Sequence, residues 1–128
     1  MESNLLNGLS LAYIGDAVYE LIIRKYVINL GTTNVNNLHK KVTSYTSGIS
    51  QSKAMHYFLN NNLLSDEEIN VFKRGRNSHV HTKRKNMELK DYLDATGFEA
   101  LIGYLYLNNQ TDRINELVDI IIKNKEVL

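Results

Sequence analysis

Two acidic residues stand inside apolar stretches of this sequence, where a carboxylate is costly. Asp16 follows Gly15 in the run Leu11–Val18, and Glu99 stands in the run Thr96–Gly103. A buried carboxylate needs a compensating cation, and a glycine within a helix costs about 1 kcal/mol relative to alanine. Mg²⁺ takes oxygen ligands and keeps several waters, so one or two carboxylates suffice to hold it. If the two segments pack side by side, the two acids form a candidate metal site.

An ion pair with a basic side chain is the ordinary alternative for each of these carboxylates. Three basic residues are available as partners: Arg24, Lys40 and Lys41. Glu20 lies four residues after Asp16 and so shares its helical face, but a neighbouring basic residue is its favoured partner. Asp94 precedes Glu99 by five residues; we expect it in a first helical turn or facing solvent, and an approach to the edge of the same pocket is the alternative.

The basic residues are unevenly distributed, although the formal net charge is only +1. Six of them fall in the segment 73–85, which contains no acidic residue: Lys73, Arg74, Arg76, Lys83, Arg84 and Lys85. A basic segment on an acidic body favours a polyanionic partner, and a solvated loop is the alternative. His79 and His81 have no third nitrogen or sulfur ligand nearby in sequence, so we expect phosphate or solvent contact there rather than a metal.

The composition excludes several classes of protein. The 128 residues include no cysteine, which rules out disulfides and thiolate metal sites, and 43% are hydrophobic, enough for one core. No apolar run approaches the roughly 20 residues of a membrane span. The N-terminus has no basic region ahead of an apolar core, as a signal peptide would. We therefore expect a single cytoplasmic domain over 1–128 without a membrane partner.

Apolar residues recur with the 3.6-residue period of helices, and no useful stretch alternates as a strand does. The pattern predicts helices over about 4–29 and about 90–108, three shorter helices between them, an exposed loop over about 75–89, and a final amphipathic helix through 114–121. Ser65 and Glu68 have the spacing of a capping box, so Asp66, Glu67 and Glu68 are expected to begin a helix rather than bind a metal. The fold class predicted is all-α, with six or seven helices.

The order of these motifs resembles the catalytic domain of the ribonuclease III family. Four segments carry the resemblance: Leu11–Ala17, Leu38–Lys41, Phe72–Asn77 and Phe98–Gly103. The first resembles the signature helix of the family and the last its second acidic motif. The combination is most similar to Mini-ribonuclease III, the short bacterial form without a double-stranded RNA-binding domain. The resemblance covers about Leu9 to Leu107 and implies that 1–128 is a catalytic domain alone.

The resemblance implies a metal-dependent endonuclease that cleaves double-stranded RNA. Asp16 matches the catalytic aspartate and Glu99 the metal-binding glutamate, with Mg²⁺ as the cofactor and Mn²⁺ as a substitute. The products implied carry 5′-phosphate and 3′-hydroxyl ends, and the substrate implied is precursor 23S ribosomal RNA. Leu9, Ala12 and Thr96 stand where longer members carry further carboxylates. We therefore expect the RNA phosphate to complete the metal shell, and the number of metal ions stays open.

The resemblance also implies a homodimer, because one site cuts one strand and two-fold pairing sets two sites on a duplex. Tyr13 is expected to pack across that interface, and Gly15 to allow close approach of the helices there. Seven residues are expected to contact RNA: Lys40, Arg74, Arg76, Asn77, Lys83, Arg84 and Lys85. Whether a ribosomal protein presents the RNA stays open.

A catalytically silent module that binds double-stranded RNA or associates with the ribosome is the alternative function. Such a module accounts for the basic segment, but it leaves Asp16 and Glu99 without a role.

Overall fold

Six α-helices and a short 3₁₀ helix make up the part of the chain that the structure, a computed structural model, describes: residues 6–78 and 88–128. The helices are α1 (Gly8–Asn29), α2 (Val35–Thr46), α3 (Gly48–Asn60), α4 (Asp66–Arg76), α5 (Leu89–Leu107) and α6 (Thr111–Lys123), and the 3₁₀ helix spans Lys125–Val127. These two ranges contain no strand. The all-α prediction is confirmed. None of the described helices is both long and apolar enough to cross a membrane.

Polar side chains begin the first four helices. The Ser65 hydroxyl accepts from the Glu68 amide at 3.1 Å, and the Glu68 carboxylate accepts from the Ser65 amide at 2.9 Å. This is the capping box that the sequence predicts. Asn7 caps α1, which therefore begins at Gly8 rather than near residue 4. α2 and α3 begin in the same way, with side-chain caps from Asn34 and Ser47.

α5 is the central helix of the fold. Except at Glu99, every residue from Asp94 to Leu105 is buried, because α1, α3 and α4 surround this helix. A helix that is apolar on all sides needs such neighbours. At its middle, the Phe98 ring lies 4.9 Å from that of Tyr19 and 6.4 Å from that of Phe58, measured between centroids. α5 thus fixes the positions of residues on three other helices.

The backbones of α1 and α5 are in direct contact at two glycines. A Cβ atom on Gly15 would lie 2.7 Å from the Glu99 carbonyl carbon and the Gly103 amide nitrogen, and closer still to the Glu99 carbonyl oxygen. A Cβ atom on Gly103 would lie 2.9 Å from the Leu11 carbonyl carbon. Carbon atoms pack best at about 3.5–4.0 Å, so neither position has room for a side chain. The two glycines set the spacing of the helices beside Asp16 and Glu99.

The predicted exposed loop over 75–89 is wrong at its start. α4 continues through Gly75 and Arg76, because Gly75 is buried where α4 packs against α5. A Cβ atom on Gly75 would lie 3.1 Å from the Gly97 Cα atom. The close approach of these two helices therefore extends α4 beyond the point where its apolar pattern ends.

Candidate active site

Asp16 and Glu99 line one small cavity among α1, α3 and α5, with a volume of about 70 Å³. The cavity is completed by six other residues: Thr46, Gly48, Gln51, Tyr92, Ala95 and Thr96. The contact of Gly15 with the Glu99 backbone places the Asp16 segment directly beside α5. Two acids separated by more than eighty residues in sequence thus meet in one pocket, as their apolar surroundings in the sequence suggest.

No basic side chain lines this cavity in the part of the chain that is described. Asp16 is exposed and forms no ion pair within that part. Arg24 pairs with Glu20 at 3.0 Å instead, and the Lys41 ammonium donates to the Thr32 hydroxyl at 2.7 Å. The expected basic partner for Glu20 is confirmed, and the alternative of a resident Arg or Lys on Asp16 finds no support among these residues.

Glu99 is held from α3 by a residue that sequence reasoning missed. Gln51 is 2% exposed, and its Nε2 atom donates to the Thr46 carbonyl at 3.2 Å and to Glu99 Oε2 at 3.5 Å. The only signal in the sequence was a polar side chain close to the apolar residues Ala54 and Met55 on a short helix. That signal is weak, because many polar residues on such helices face solvent.

The donor atoms of the cavity suit a hard divalent cation. Two carboxylates and the hydroxyls of Thr46 and Thr96 are present, and both hydroxyls donate to backbone carbonyls of their own helices. The described residues contain no group of three His, Cys, Asp or Glu side chains that could hold a metal. Zinc sites need about four protein or water ligands rich in nitrogen or sulfur, whereas Mg²⁺ binds through one or two carboxylates and fills its octahedron with water and phosphate. The residues present therefore fit Mg²⁺.

Comparison with known proteins assigns the chain to a family. Residues 9–110 match the model of the ribonuclease III domain. The chain is 48% identical over 118 residues to the Mini-ribonuclease 3 of Enterococcus faecalis, covering 92% of this chain and 89% of that protein. It is 40% identical over 126 residues to the Mini-ribonuclease 3 of Streptococcus pneumoniae, covering 98% of each. The chain belongs to the Mini-ribonuclease 3 group of the ribonuclease III family.

A solved structure agrees with this membership. A crystal structure of a protein from Fusobacterium nucleatum superposes with a TM-score of 0.88 at 32% identity, covering 98% of this chain and 99% of that one. The resemblance found in the motifs is thus confirmed. As a member of the ribonuclease III family, the chain is an endoribonuclease that acts on double-stranded RNA.

Two arginines expected to contact RNA make contacts within the ribonuclease III fold. The Arg74 Nη2 atom donates to the Leu6 carbonyl at 3.0 Å, and the Arg76 Nε atom donates to Asp94 Oδ1 at 2.7 Å. The expectation that Asp94 faces solvent is wrong, because the residue is only 2% exposed. His56 Nε2 lies 2.7 Å from its other carboxylate oxygen. The Arg76 guanidinium compensates this buried charge, and His56 is a second hydrogen-bonding partner. No local pattern in the sequence reveals either residue.

The remaining candidates for RNA contact divide into two sets. Lys40 on α2 is exposed, and so is Asn77, which ends α4. Lys83, Arg84 and Lys85 lie outside the described residues, as do His79 and His81. Lys40 and Asn77 are therefore available at the surface. For Lys83, Arg84 and Lys85, the expectation of RNA contact is based on their charge alone.

Tyr13 and Gly15, both expected at a dimer interface, lie in different environments. The Tyr13 side chain is 85% exposed on α1, one helical turn before Asp16. Gly15 is buried inside the protomer. The close approach that its missing side chain permits is made to α5 of the same chain, and not across an interface between copies as the sequence suggested.

Proposed function

We propose that this ribonuclease III domain cleaves double-stranded RNA with Mg²⁺ held by Asp16 and Glu99, and that Mn²⁺ substitutes for it. The observation that carries the proposal is the shared cavity, in which the carboxylates of Asp16 and Glu99 meet although the two residues are far apart in sequence. When bound, Mg²⁺ lowers the pKa of a coordinated water and stabilises the charge that builds on the scissile phosphate. The products are RNA ends with 5′-phosphate and 3′-hydroxyl groups.

The side chains of the pocket divide the work between them. Asp16 is exposed and so presents its carboxylate to an incoming RNA strand, whereas Glu99 is half-buried and held by Gln51. Asp16 and Glu99 would hold the ion, and two carboxylates would leave room beside it for water and for phosphate oxygens of the RNA. We therefore expect the RNA phosphate to strengthen the binding of the ion.

The RNA surface that we propose includes Lys40, Arg76 and Asn77, together with Arg74 and the basic residues Lys83, Arg84 and Lys85. The concentration of positive charge in 73–85 supports it, because A-form RNA is recognised by its phosphates and its shape. Replacing Lys83, Arg84 and Lys85 by Gln should raise the KM for a duplex. It should also reduce the slope of log K against log salt by about 2–3. An unchanged salt slope would show that these side chains do not contact phosphate.

We propose a two-fold dimer with Tyr13 at its interface. A tyrosine with 85% of its side chain exposed is a large apolar surface to leave in water, and two-fold dimers are the commonest oligomers. Tyr13 also lies one turn from Asp16, so an interface there brings the two pockets of a dimer to one face. Such a pair of sites can cut both strands of a duplex.

The substrate that we propose is precursor 23S ribosomal RNA in the cytoplasm. Support comes from the resemblance to Mini-ribonuclease III, whose members process this RNA, and from the match of the chain to that group. Incubating a precursor transcript with the enzyme and mapping the ends tests both the position of cleavage and the chemistry of the products.

The decisive experiment incubates long double-stranded RNA with the enzyme in Mg²⁺ or in chelator. Cleavage in Mg²⁺ alone is expected. Asp16→Asn should lower kcat by roughly 10²–10³-fold, since metal stabilisation of charge is worth several kcal/mol, while binding of the duplex is retained. Asp112→Asn changes an exposed carboxylate on α6 and is the matched control. Intact RNA in both tubes would favour the silent RNA-binding module, and unchanged cleavage by Asp16→Asn would remove Asp16 from the reaction.

A further inference from the structure

Gln51 occupies a buried position on α3 where apolar residues are the norm. Its helix contributes Ala54, Met55 and Phe58 to the core, and Gln51 itself is 2% exposed. An amide in such a place is stable only if its polar atoms find hydrogen-bond partners. The partners of Gln51 therefore show what this residue is for.

The nitrogen of the Gln51 amide has two partners, and both are oxygens. Nε2 donates to the Thr46 carbonyl at 3.2 Å and to Glu99 Oε2 at 3.5 Å. The opposite orientation of the amide would set Oε1 against two acceptors, so the surroundings fix which atom faces Glu99. The bond to Glu99 is long for N–H···O, and it is the contact that links the amide to the cavity.

The oxygen of the same amide has no partner. Oε1 is buried and makes no hydrogen bond with the described residues. A buried acceptor without a partner destabilises the fold, and an apolar residue of the same shape would avoid that cost. The Gln51 oxygen thus lowers the stability of the fold, whereas the nitrogen donates a hydrogen bond to the Glu99 carboxylate in the cavity.

We propose that Gln51 is a positioning residue for Glu99: it fixes the carboxylate in the orientation that binds the divalent cation. The inference rests on the function proposed above and adds a residue to that same site. A pocket with only two carboxylates depends on the orientation of each. Side chains that hold a metal ligand in place commonly change metal affinity or activity 10- to 100-fold when they are removed.

The test replaces Gln51 by Met, which has a similar length and no hydrogen-bonding amide. Mn²⁺ affinity, measured from the electron paramagnetic resonance signal of free Mn²⁺, should fall by about 10- to 100-fold. The kcat for duplex cleavage should fall with it, while the KM for RNA stays unchanged. Because the unpartnered acceptor is gone, Tm should stay equal to that of the wild type or rise by up to about 4 °C.

Ser52→Ala is the matched control on the next residue of α3. Ser52 is also 2% exposed, and its hydroxyl donates to Asp91 Oδ1 at 3.0 Å on α5. Neither of these residues lines the cavity. The Ser52 variant should lower Tm and leave Mn²⁺ affinity unchanged. If Gln51 acts through Glu99, Gln51→Met should add less than about a twofold loss in a Glu99→Gln background.

Each outcome decides the inference. Unchanged Mn²⁺ affinity in Gln51→Met overturns it, and so does a loss of affinity that comes with a lower Tm than that of Ser52→Ala. A further loss in the Glu99→Gln background shows that Gln51 acts by another route and also overturns it. A wild-type enzyme that neither binds Mn²⁺ nor cuts refutes the proposed function itself. A wild-type enzyme that does both supports that function, and the Gln51 variant alone then decides the role of Gln51.

Discussion

Replacing Gly15 by Ala tests whether the contact between α1 and α5 sets the geometry of the proposed metal site. The added Cβ atom would lie 2.7 Å from the Glu99 carbonyl carbon and closer still to the carbonyl oxygen, so the helices must separate by more than the roughly 0.8 Å that the carbon contact alone requires. Overpacking against backbone atoms costs about 3 kcal/mol, and alanine returns about 1 kcal/mol through its helix propensity. The free energy of unfolding should therefore fall by about 2 kcal/mol, with a Tm lower by about 8 °C.

The same displacement should damage the site more than it damages the fold. Asp16 moves with α1 and Glu99 with α5, and a misplacement of about 1 Å can reduce turnover 10²-fold. Urea unfolding and duplex cleavage, measured at a temperature where both proteins are folded, give the two quantities separately.

Gly31→Ala is the control for lost stability. Gly31 has a φ angle of +100° and no atom within 4 Å of an added Cβ. Alanine there costs about 1–2 kcal/mol of backbone strain but leaves α1 and α5 in place, so cleavage by the folded protein should match the wild type. A Gly15→Ala protein with wild-type stability and wild-type cleavage would refute the close contact as the element that sets the site.

Two further predictions concern other parts of the molecule. Arg113→Leu should lower the free energy of unfolding by about 3 kcal/mol at neutral pH, because it leaves the Glu68 carboxylate, whose side chain is 7% exposed, without its charged partner. Burial raises the pKa of Glu68, but hydrogen bonds from Arg113 and the Ser65 amide lower it further, so the net shift is below the ordinary 4.5. This pair therefore stabilises the fold above about pH 4.5 and loses its effect as the pH falls through the lowered pKa. Urea titrations should show that the difference in free energy of unfolding between the wild type and Arg113→Leu shrinks in acid. A difference that does not depend on pH would contradict the role of this ion pair. In sedimentation experiments at micromolar concentration, Tyr13→Ser should shift the proposed dimer towards monomer without lowering the Tm of the protomer. An unchanged oligomeric state would exclude Tyr13 from the interface.

The sequence predicts best where its signals are local. The capping box at Ser65 and Glu68 depends on residues three apart, and helix periodicity depends on positions three or four apart. Both are found in the structure. The pairing of Asp16 with Glu99 was reached differently, since a carboxylate in an apolar run signals a missing partner without saying where that partner lies. The two are joined by the supposition that their helices pack side by side, and the resemblance to ribonuclease III then implies a role for each.

Sequence reasoning fails where a buried polar residue finds its hydrogen-bond partners far away in sequence. The residues next to Asp94 in sequence do not indicate that it is buried, yet His56 and Arg76 contact it from two other helices. Gly15 shows a second limit. A glycine in a helix indicates close approach, but its type does not say whether the neighbour belongs to the same chain or to a second copy.

The contacts of Arg113 limit how far the polypeptide can be shortened at its C-terminal end without loss of stability. Arg113 lies beyond the 9–110 segment that matches the ribonuclease III domain, yet it donates to both oxygens of Glu68 and to the Leu63 carbonyl. The same helix adds Ile114, Leu117 and Ile121 to the core. A chain shortened to the matched segment would lose both the guanidinium that compensates the capping carboxylate of α4 and one wall of the interior. Contacts that stabilise this fold therefore lie outside the stretch by which the family is recognised.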